Sequence, residues 1–399
     1  MLPLRKPSVM LFIALFLLPA FSLPRIHGQE SGEPDASARL QLDAFRPSPK
    51  LRARSTQLTK AKFPVVDVHS HFYFRFRHDR SSLDGFVKMM NRNNIRVAIS
   101  LDGKLGERLD AHMEYLWTDY ENRFAVFTNI DWQGSAGPVD YANWDCHSSD
   151  FSRRTVAALR KAAARGISGA KVFKSFGLTY KNPDGSYVEI DDARFDPIWK
   201  ACGELGLPVI MHTADPSAFF DPIDETNERW EELSRHPDWH FPSDKFPTRE
   251  HLHAARARLF ARHRGTTFIA AHLGNDGEDL AQTAKMLDDN PNVVVEFASR
   301  ISELGRQPYS ARDFLIRYQD RVLFGTDGPW PEQRYQYYWR FLETKDEYFP
   351  YSEKPFPPQG LWRIYGVYLP DDVLRKIYAG NAARLIPGIA EKLANQTSE

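Results

Sequence analysis

Cysteine is nearly missing from this chain, with only Cys146 and Cys202 in 399 residues. A disulfide-built scaffold is therefore excluded; one bridge is the most the chain can form, and two free thiols are the expectation. An excess of either charge is missing as well. The 52 basic and 52 acidic side chains cancel, which removes the electrostatic reason to expect nucleic acid or an anionic membrane as partner. A small-molecule substrate is what remains. No G-x-G-x-x-G turn follows any strand-like run, so a dinucleotide-binding crevice is not indicated. The apolar run near the amino terminus, about 15 residues, falls short of the ~20 that span a bilayer.

That run has a different meaning. Arg5 and Lys6 precede the stretch from Val9 to Leu23, the order of a cleavable export signal, assigned to residues 1–28. Its removal would leave a secreted or periplasmic protein with no membrane attachment. Residues 29–58 are polar, with little periodicity, and read as a linker or surface arm. Residues 59–390 carry the regular pattern of a folded domain, and 391–399 read as a tail.

Within the domain, short β-branched or aromatic runs alternate with amphipathic stretches. The candidate strands are Pro64–His69, Arg96–Leu101, Phe124–Ile130, Gly169–Phe173, Pro208–His212, Thr267–His272, Val293–Phe297 and Val322–Thr326. Arg153–Arg165, Asp192–Leu205, Arg249–His263 and Gly277–Asp288 read as helices between them. Strands alternating with helices imply a parallel sheet, and eight strands are the number that closes a barrel. The fold class is α/β, a (β/α)8 TIM barrel, with an open doubly wound sheet as runner-up. Long aromatic-rich loops are expected after strand five (215–247) and strand eight (328–358), packed on the barrel for the most part.

In such a barrel the chemistry sits at the carboxyl ends of the strands. His69 and His71 stand one residue apart at the end of strand one, and positions i and i+2 of a strand share a face. Lys171 lies in strand four, His212 closes strand five, His272 closes strand six, and Asp327 follows strand eight. Three imidazoles and a carboxylate suit one divalent ion, zinc first and manganese second, with a position open for water or substrate. A metal so bound lowers the pKa of water toward ~7. Asp327 then reads as general base and His272 as a group that polarises a carbonyl or binds an oxyanion. Asp67, two residues before His69, reads as a support that orients an imidazole.

The motifs Asp67-Val68-His69-Ser70-His71, the strand-end His212 and His272, Gly325-Thr326-Asp327 and the closing Tyr378-Ala379-Gly380-Asn381-Ala382-Ala383-Arg384-Leu385 together resemble the amidohydrolase superfamily. The branch they resemble is the amidohydrolase-2 group of aminocarboxymuconate semialdehyde decarboxylase-like enzymes and lactonases, over roughly Phe63 to Ile386. The resemblance implies a metal-dependent (β/α)8 hydrolase or non-oxidative decarboxylase. It also implies His69, His71, His212 and Asp327 as metal ligands, and His272 as an active-site histidine that need not be a ligand.

Other rim residues carry weaker signals. Lys171 is either paired with an acid or in contact with substrate, while Lys174, three residues on, is expected on the opposite face. Glu296 inside strand seven needs a partner, an active-site ligand or Lys171. Arg300 is a carboxylate clamp or a surface ion pair. Asp131 and Trp132 belong to the mouth or to an ordinary turn, and His236, His240, His251 and His253 are expected on helix or loop surfaces. Hydrolysis of a lactone, amide or ester is the first functional expectation, and decarboxylation of an aromatic or muconate-type acid the second. A homo-oligomer is compatible with the exposed aromatics.

Overall fold

The apolar runs form eight strands: β1 (Val65–Ser70), β2 (Ile95–Lys104), β3 (Phe124–Asn129), β4 (Gly169–Val172), β5 (Val209–Met211), β6 (Phe268–Ala270), β7 (Val293–Glu296) and β8 (Val322–Leu323). The computed structural model describes residues 40–41, 44–45, 48–354 and 359–396, so the export signal and half of the polar arm lie outside the described residues. The chain divides into Met1–Ser48 and Pro49–Glu399. In the first unit the Ala44 N–H donates to the Gln41 carbonyl at 3.0 Å. All that follows concerns the second.

The strands are parallel and pair in sequence order from β1 to β8. Val68 N–H donates to the Phe324 carbonyl at 3.0 Å, and beyond the strand ends Gly328 N–H donates to the His69 carbonyl at 3.2 Å. These bonds bring the last strand back to the first and close the barrel. Its interior is filled by Val66, Val68, Val97, Ile99, Ala125, Phe127, Ile210, Ile269, Val294 and Leu323, the layered branched side chains that such a barrel needs. Ala382, Ile386 and Ile389 join this layer, and Gln396 donates to the Arg96 carbonyl at 3.1 Å. The carboxyl-terminal helices thus plug the end of the barrel where the strands begin. The last of them, Ile389–Asn395, takes in the first residues of the expected tail.

Two irregularities in the ladder matter for function. Asp67 pairs with Ala98 and Ser70 with Ser100, so Val68 and His69 together oppose Ile99 alone. Between β2 and β3, Ser100 pairs with Val126 and Gly103 with Thr128, so Leu101 and Asp102 oppose Phe127. An extra residue of this kind breaks the alternation of faces and re-aims the side chains beyond it.

The expected helices are present as Phe151–Ala164, Asp196–Glu204, Arg249–Arg262 and Leu280–Asp289. Thr248 caps the third, accepting the His251 N–H, and Asp279 caps the fourth through Ala281 and Gln282, satisfying donors that the first turn leaves free. The segment after β8 differs from the expected loop, because it contains the helix Glu332–Glu343. Tyr335, Tyr338, Trp339 and Leu342 recur at helical spacing on one buried face, and Tyr337 and Phe341 on the other side are buried as well, so the helix is packed on more than one face. Cys146 and Cys202 are both free and buried. Among the described residues, no helix is long and apolar enough to cross a membrane.

Candidate active site

Bulging at Val68–His69 turns the His69 ring into the barrel mouth. Its Nδ1 meets Glu296 Oε1 at 2.9 Å. The His71 Nδ1 meets Asp102 Oδ1 at 2.6 Å, a contact made possible by the second bulge. A carboxylate accepts hydrogen bonds and, ionised, cannot donate them. Each ring therefore carries its proton on Nδ1 and directs the lone pair of Nε2 inward. Those two Nε2 atoms lie 3.3 Å apart, and Asp327 Oδ1 is 3.5 Å from one and 3.4 Å from the other. Two lone pairs and a carboxylate oxygen converging at that distance repel one another, and a cation between them removes the conflict. The donor set fits a divalent metal ion.

His212 stands beside His272, outside the group formed by His69, His71 and Asp327. It sits one residue beyond β5 with its ring centroid 4.5 Å from that of His272. Its buried Nε2 has no hydrogen-bond partner among the described residues; the nearest acid, Asp215, stands at 3.5 Å. Burial pushes the His212 imidazole down to about 4, and burial, reinforced by the Lys171 charge, holds His69 well below the usual histidine range. Neutral rings are what a metal requires of its histidines.

His272 lies 4.8 Å from His69, centroid to centroid. Its Nδ1 donates to the Ala298 carbonyl at 2.8 Å, and burial keeps it neutral. Nε2 is then an acceptor, not the donor that an oxyanion needs, which corrects the oxyanion role expected for this residue. The chain is held left-handed here: φ is positive at Ala214, His272, Leu273, Asn275, Ser299 and Asp327. Each such residue costs on the order of 1–3 kcal/mol, a strain that clusters at functional sites.

Glu296 joins these elements. Oε1 accepts both the His69 ring N–H and the His272 backbone N–H, the latter at 2.8 Å, and Oε2 accepts Ala298 N–H at 2.5 Å. Asp67 does not orient an imidazole. The bulge leaves it on the side of Ala98, where it accepts from Thr326 N–H at 3.1 Å, Thr326 Oγ1 at 2.5 Å and His69 N–H at 3.2 Å, tying β1 to the segment that carries Asp327. Burial pushes its carboxyl up to about 7 despite those bonds.

Lys171 is buried, makes no ion pair with Glu296, and its Nζ has no hydrogen-bond partner among the described residues; burial lowers it to about 8. Arg300 is not a surface residue. It is buried, donating to Asn275 Oδ1 at 2.6 Å and to the Ser299 carbonyl at 3.0 Å, with Nε left over.

Above the histidines opens a cavity of about 620 Å³ lined by His71, His212, His272, Arg300 and Asp327, with Phe219, Trp239, Trp330 and Tyr338 from the aromatic segments. Phe220, Trp230 and Phe241 are not among its walls. Lys174 is, and it pairs with Asp215 at 2.5 Å, contrary to expectation. β4 ends at Val172, so strand alternation no longer governs position 174. His236 also lines the cavity, stacked 4.1 Å from Trp239, while His251 is exposed and paired with Glu189 at 2.8 Å. Lys104 pairs with Asp131 at 3.1 Å, and Trp132 is buried against Phe176, their rings 4.5 Å apart. Asp102, Asp215, Ser299 and Arg75 were not anticipated. Asp102 directly follows a candidate strand, so the strand-end rule identifies it; Ser299 and Arg75 carry no sequence signal.

A family model described as amidohydrolase matches residues 66–388. The chain belongs to the amidohydrolase family. Members of this family depend on metal, in keeping with the donor set above. No curated protein matches the chain by sequence. Among solved structures, 2,6-dihydroxybenzoate decarboxylase from Rhizobium is 14% identical with a TM-score of 0.50, over 81% of this chain and 98% of that one. The 4-oxalomesaconate hydratase from Rhodopseudomonas palustris is 12% identical with a TM-score of 0.47, over 84% and 99%. The 5-carboxyvanillate decarboxylase from Sphingomonas paucimobilis is 12% identical with a TM-score of 0.43, over 81% and 99%. At these identities the likeness is one of fold.

Proposed function

We propose that this amidohydrolase is a metal-dependent hydrolase of a small carbonyl compound, a lactone, amide or ester, exported by the signal at residues 1–28. The observation that carries the reading is the meeting of His69 Nε2, His71 Nε2 and Asp327 Oδ1 within 3.5 Å of one another. With His212 they would hold one divalent ion, zinc first and manganese second, which when bound acidifies water and polarises a carbonyl.

The remaining work belongs to the chain. Asp327 keeps its second oxygen, Oδ2, 3.4 Å from Ser299 Oγ, on a side chain partly open to the cavity. There it accepts a proton and returns it to the leaving group. His272, with its Nδ1 proton committed, offers Nε2 as a second acceptor. Arg300 Nε is the donor left for a substrate anion, and Arg75 and Arg334, stacked 3.9 Å and 4.8 Å from Trp330, draw negative charge toward the mouth.

The same cationic lining supports decarboxylation as the second reading, because it suits a carboxylate bound over the metal ligands. Chelation tests the main reading: turnover should disappear and return with added zinc, whereas full turnover in metal-free protein would sink it. Release of carbon dioxide instead of an acid and an alcohol or amine would select the second.

A further inference from the structure

A second cleft, of about 570 Å³, opens at the ends of β2, β3 and β4. The stacked rings of His71 and Phe173, 5.7 Å apart, stand at the border between it and the cavity over the histidines. His71 lines only the histidine-side cavity and Phe173 only the second cleft, while Phe74 lines both. Neither proposed reaction uses this space.

Its floor carries two buried polar atoms without partners among the described residues, Lys171 Nζ and Asn129 Oδ1. The two residues face each other across the β3–β4 ladder, so their side chains leave the sheet on one side. The orientation of the Asn129 amide is fixed, since Nδ2 donates to the Leu101 and Gly103 carbonyls, both at 2.7 Å. Oδ1 is therefore an acceptor waiting for an O–H or N–H. Lys171 has only donors to offer and lies 5.2 Å over the Phe173 ring. A buried donor and acceptor left unmade cost about 1–3 kcal/mol each, and one ligand bearing both complementary groups would satisfy them together.

The walls define the rest of that ligand. Asp102 is the acid among the lining residues, and both of its oxygens are taken, by His71 at 2.6 Å and by Phe74 N–H at 3.0 Å. Lys171, Arg77 and Arg108 leave positive charge in excess of the one lining carboxylate, Asp102, and Tyr73, Phe173 and Tyr180 supply aromatic surface. The geometry points to a second binding site, for a small aromatic hydroxy-carboxylate whose carboxylate meets Lys171 and whose hydroxyl donates to Asn129 Oδ1. It makes no use of the metal ligands, so it stands or falls apart from the hydrolase reading.

Salicylate is the probe, titrated calorimetrically into chelator-treated full-length protein so that coordination to metal contributes nothing. We expect binding that weakens about 10-fold or more in Lys171→Met and stays within about twofold in Arg300→Gln, which alters the other cavity. Benzoate, lacking the hydroxyl, should bind about 10-fold more weakly than salicylate. Equal affinity of the wild type and Lys171→Met, equal affinity for benzoate and salicylate, or no binding at millimolar salicylate would overturn the proposal. Should Lys171→Met fail to fold, crystals of the unaltered protein soaked in salicylate decide the matter. Density between Lys171 and Asn129 supports the site; density confined to the cavity over His212, or an adventitious additive only on the surface, refutes it.

Discussion

Glu296 Oε1 accepts the ring N–H of His69 at 2.9 Å and the backbone N–H of His272 at 2.8 Å, so one carboxylate oxygen fixes both the tautomer of the first residue and the position of the second. Its other oxygen is occupied by Ala298 N–H at 2.5 Å. An amide in its place would have to turn an NH2 toward one of these donors. Glu296→Gln is accordingly expected to weaken zinc binding by roughly 10–100-fold, the usual cost of losing the group behind a ligating histidine. Competition with a chromogenic chelator measures this, and unchanged affinity would mean that Glu296 does not set the ring.

Asp327 combines two functions in the proposed chemistry, so its replacement should be far more costly to turnover than to folding. Asp327→Asn keeps the shape but loses the negative charge and the capacity to take a proton. We expect kcat to fall by about 10²–10⁴, with the circular dichroism spectrum and the urea midpoint little altered. A variant retaining more than a tenth of wild-type kcat would remove the proposed base.

The barrel was legible in the sequence because its strands are bounded, apolar and regularly spaced: each of the eight expected runs overlaps an observed strand. Strand ends also placed His69, His71, His212, His272 and Asp327 at one rim. What the sequence could not show is register. Val68 and His69 stand opposite a single residue, and no composition or spacing rule announces that extra residue, so Asp67 was given the face that His69 holds. The same holds for Lys174, which lies past the end of its strand. Glu332–Glu343 differs for another reason: its many aromatics read as a long loop packed on the barrel, although Tyr335, Tyr338, Trp339 and Leu342 repeat at helical intervals.

His112 supplies a prediction about pH. It is buried, with Nε2 2.7 Å from Ser100 Oγ and Nδ1 2.9 Å from His78, and burial pushes it down to about 4 from the ordinary 6.5. A depressed histidine favours the neutral form in the folded state. Its contribution to stability is full above pH 6.5 and is lost as the pH falls toward 4, where the unfolded chain binds the proton and the folded one does not. At 1.36 kcal/mol per unit the loss is about 3 kcal/mol. Urea unfolding of wild type and His112→Gln at several pH values checks it: the gap between them should shrink by that amount on acidification, and a constant gap would show that His112 does not titrate in this range.

Arg229 anchors the segment between β5 and the helix Arg249–Arg262. Its guanidinium is fully buried and pairs with Glu232 at 3.1 Å and with Glu303, itself buried, from the segment after β7. Phe219 and Trp239 in this segment line the histidine-side cavity, so the pairing holds a wall of the candidate site. Removing one partner from a buried ion pair strands the other charge, at a cost of about 3–5 kcal/mol. Arg229→Met should therefore lower the unfolding free energy by that amount and raise KM more than it lowers kcat. Adding Glu303→Leu and Glu232→Leu removes the stranded carboxylates, and the triple variant should recover most of the stability. If the triple variant is no more stable than Arg229→Met alone, the loss comes from packing of the long side chain and not from unpaired charge.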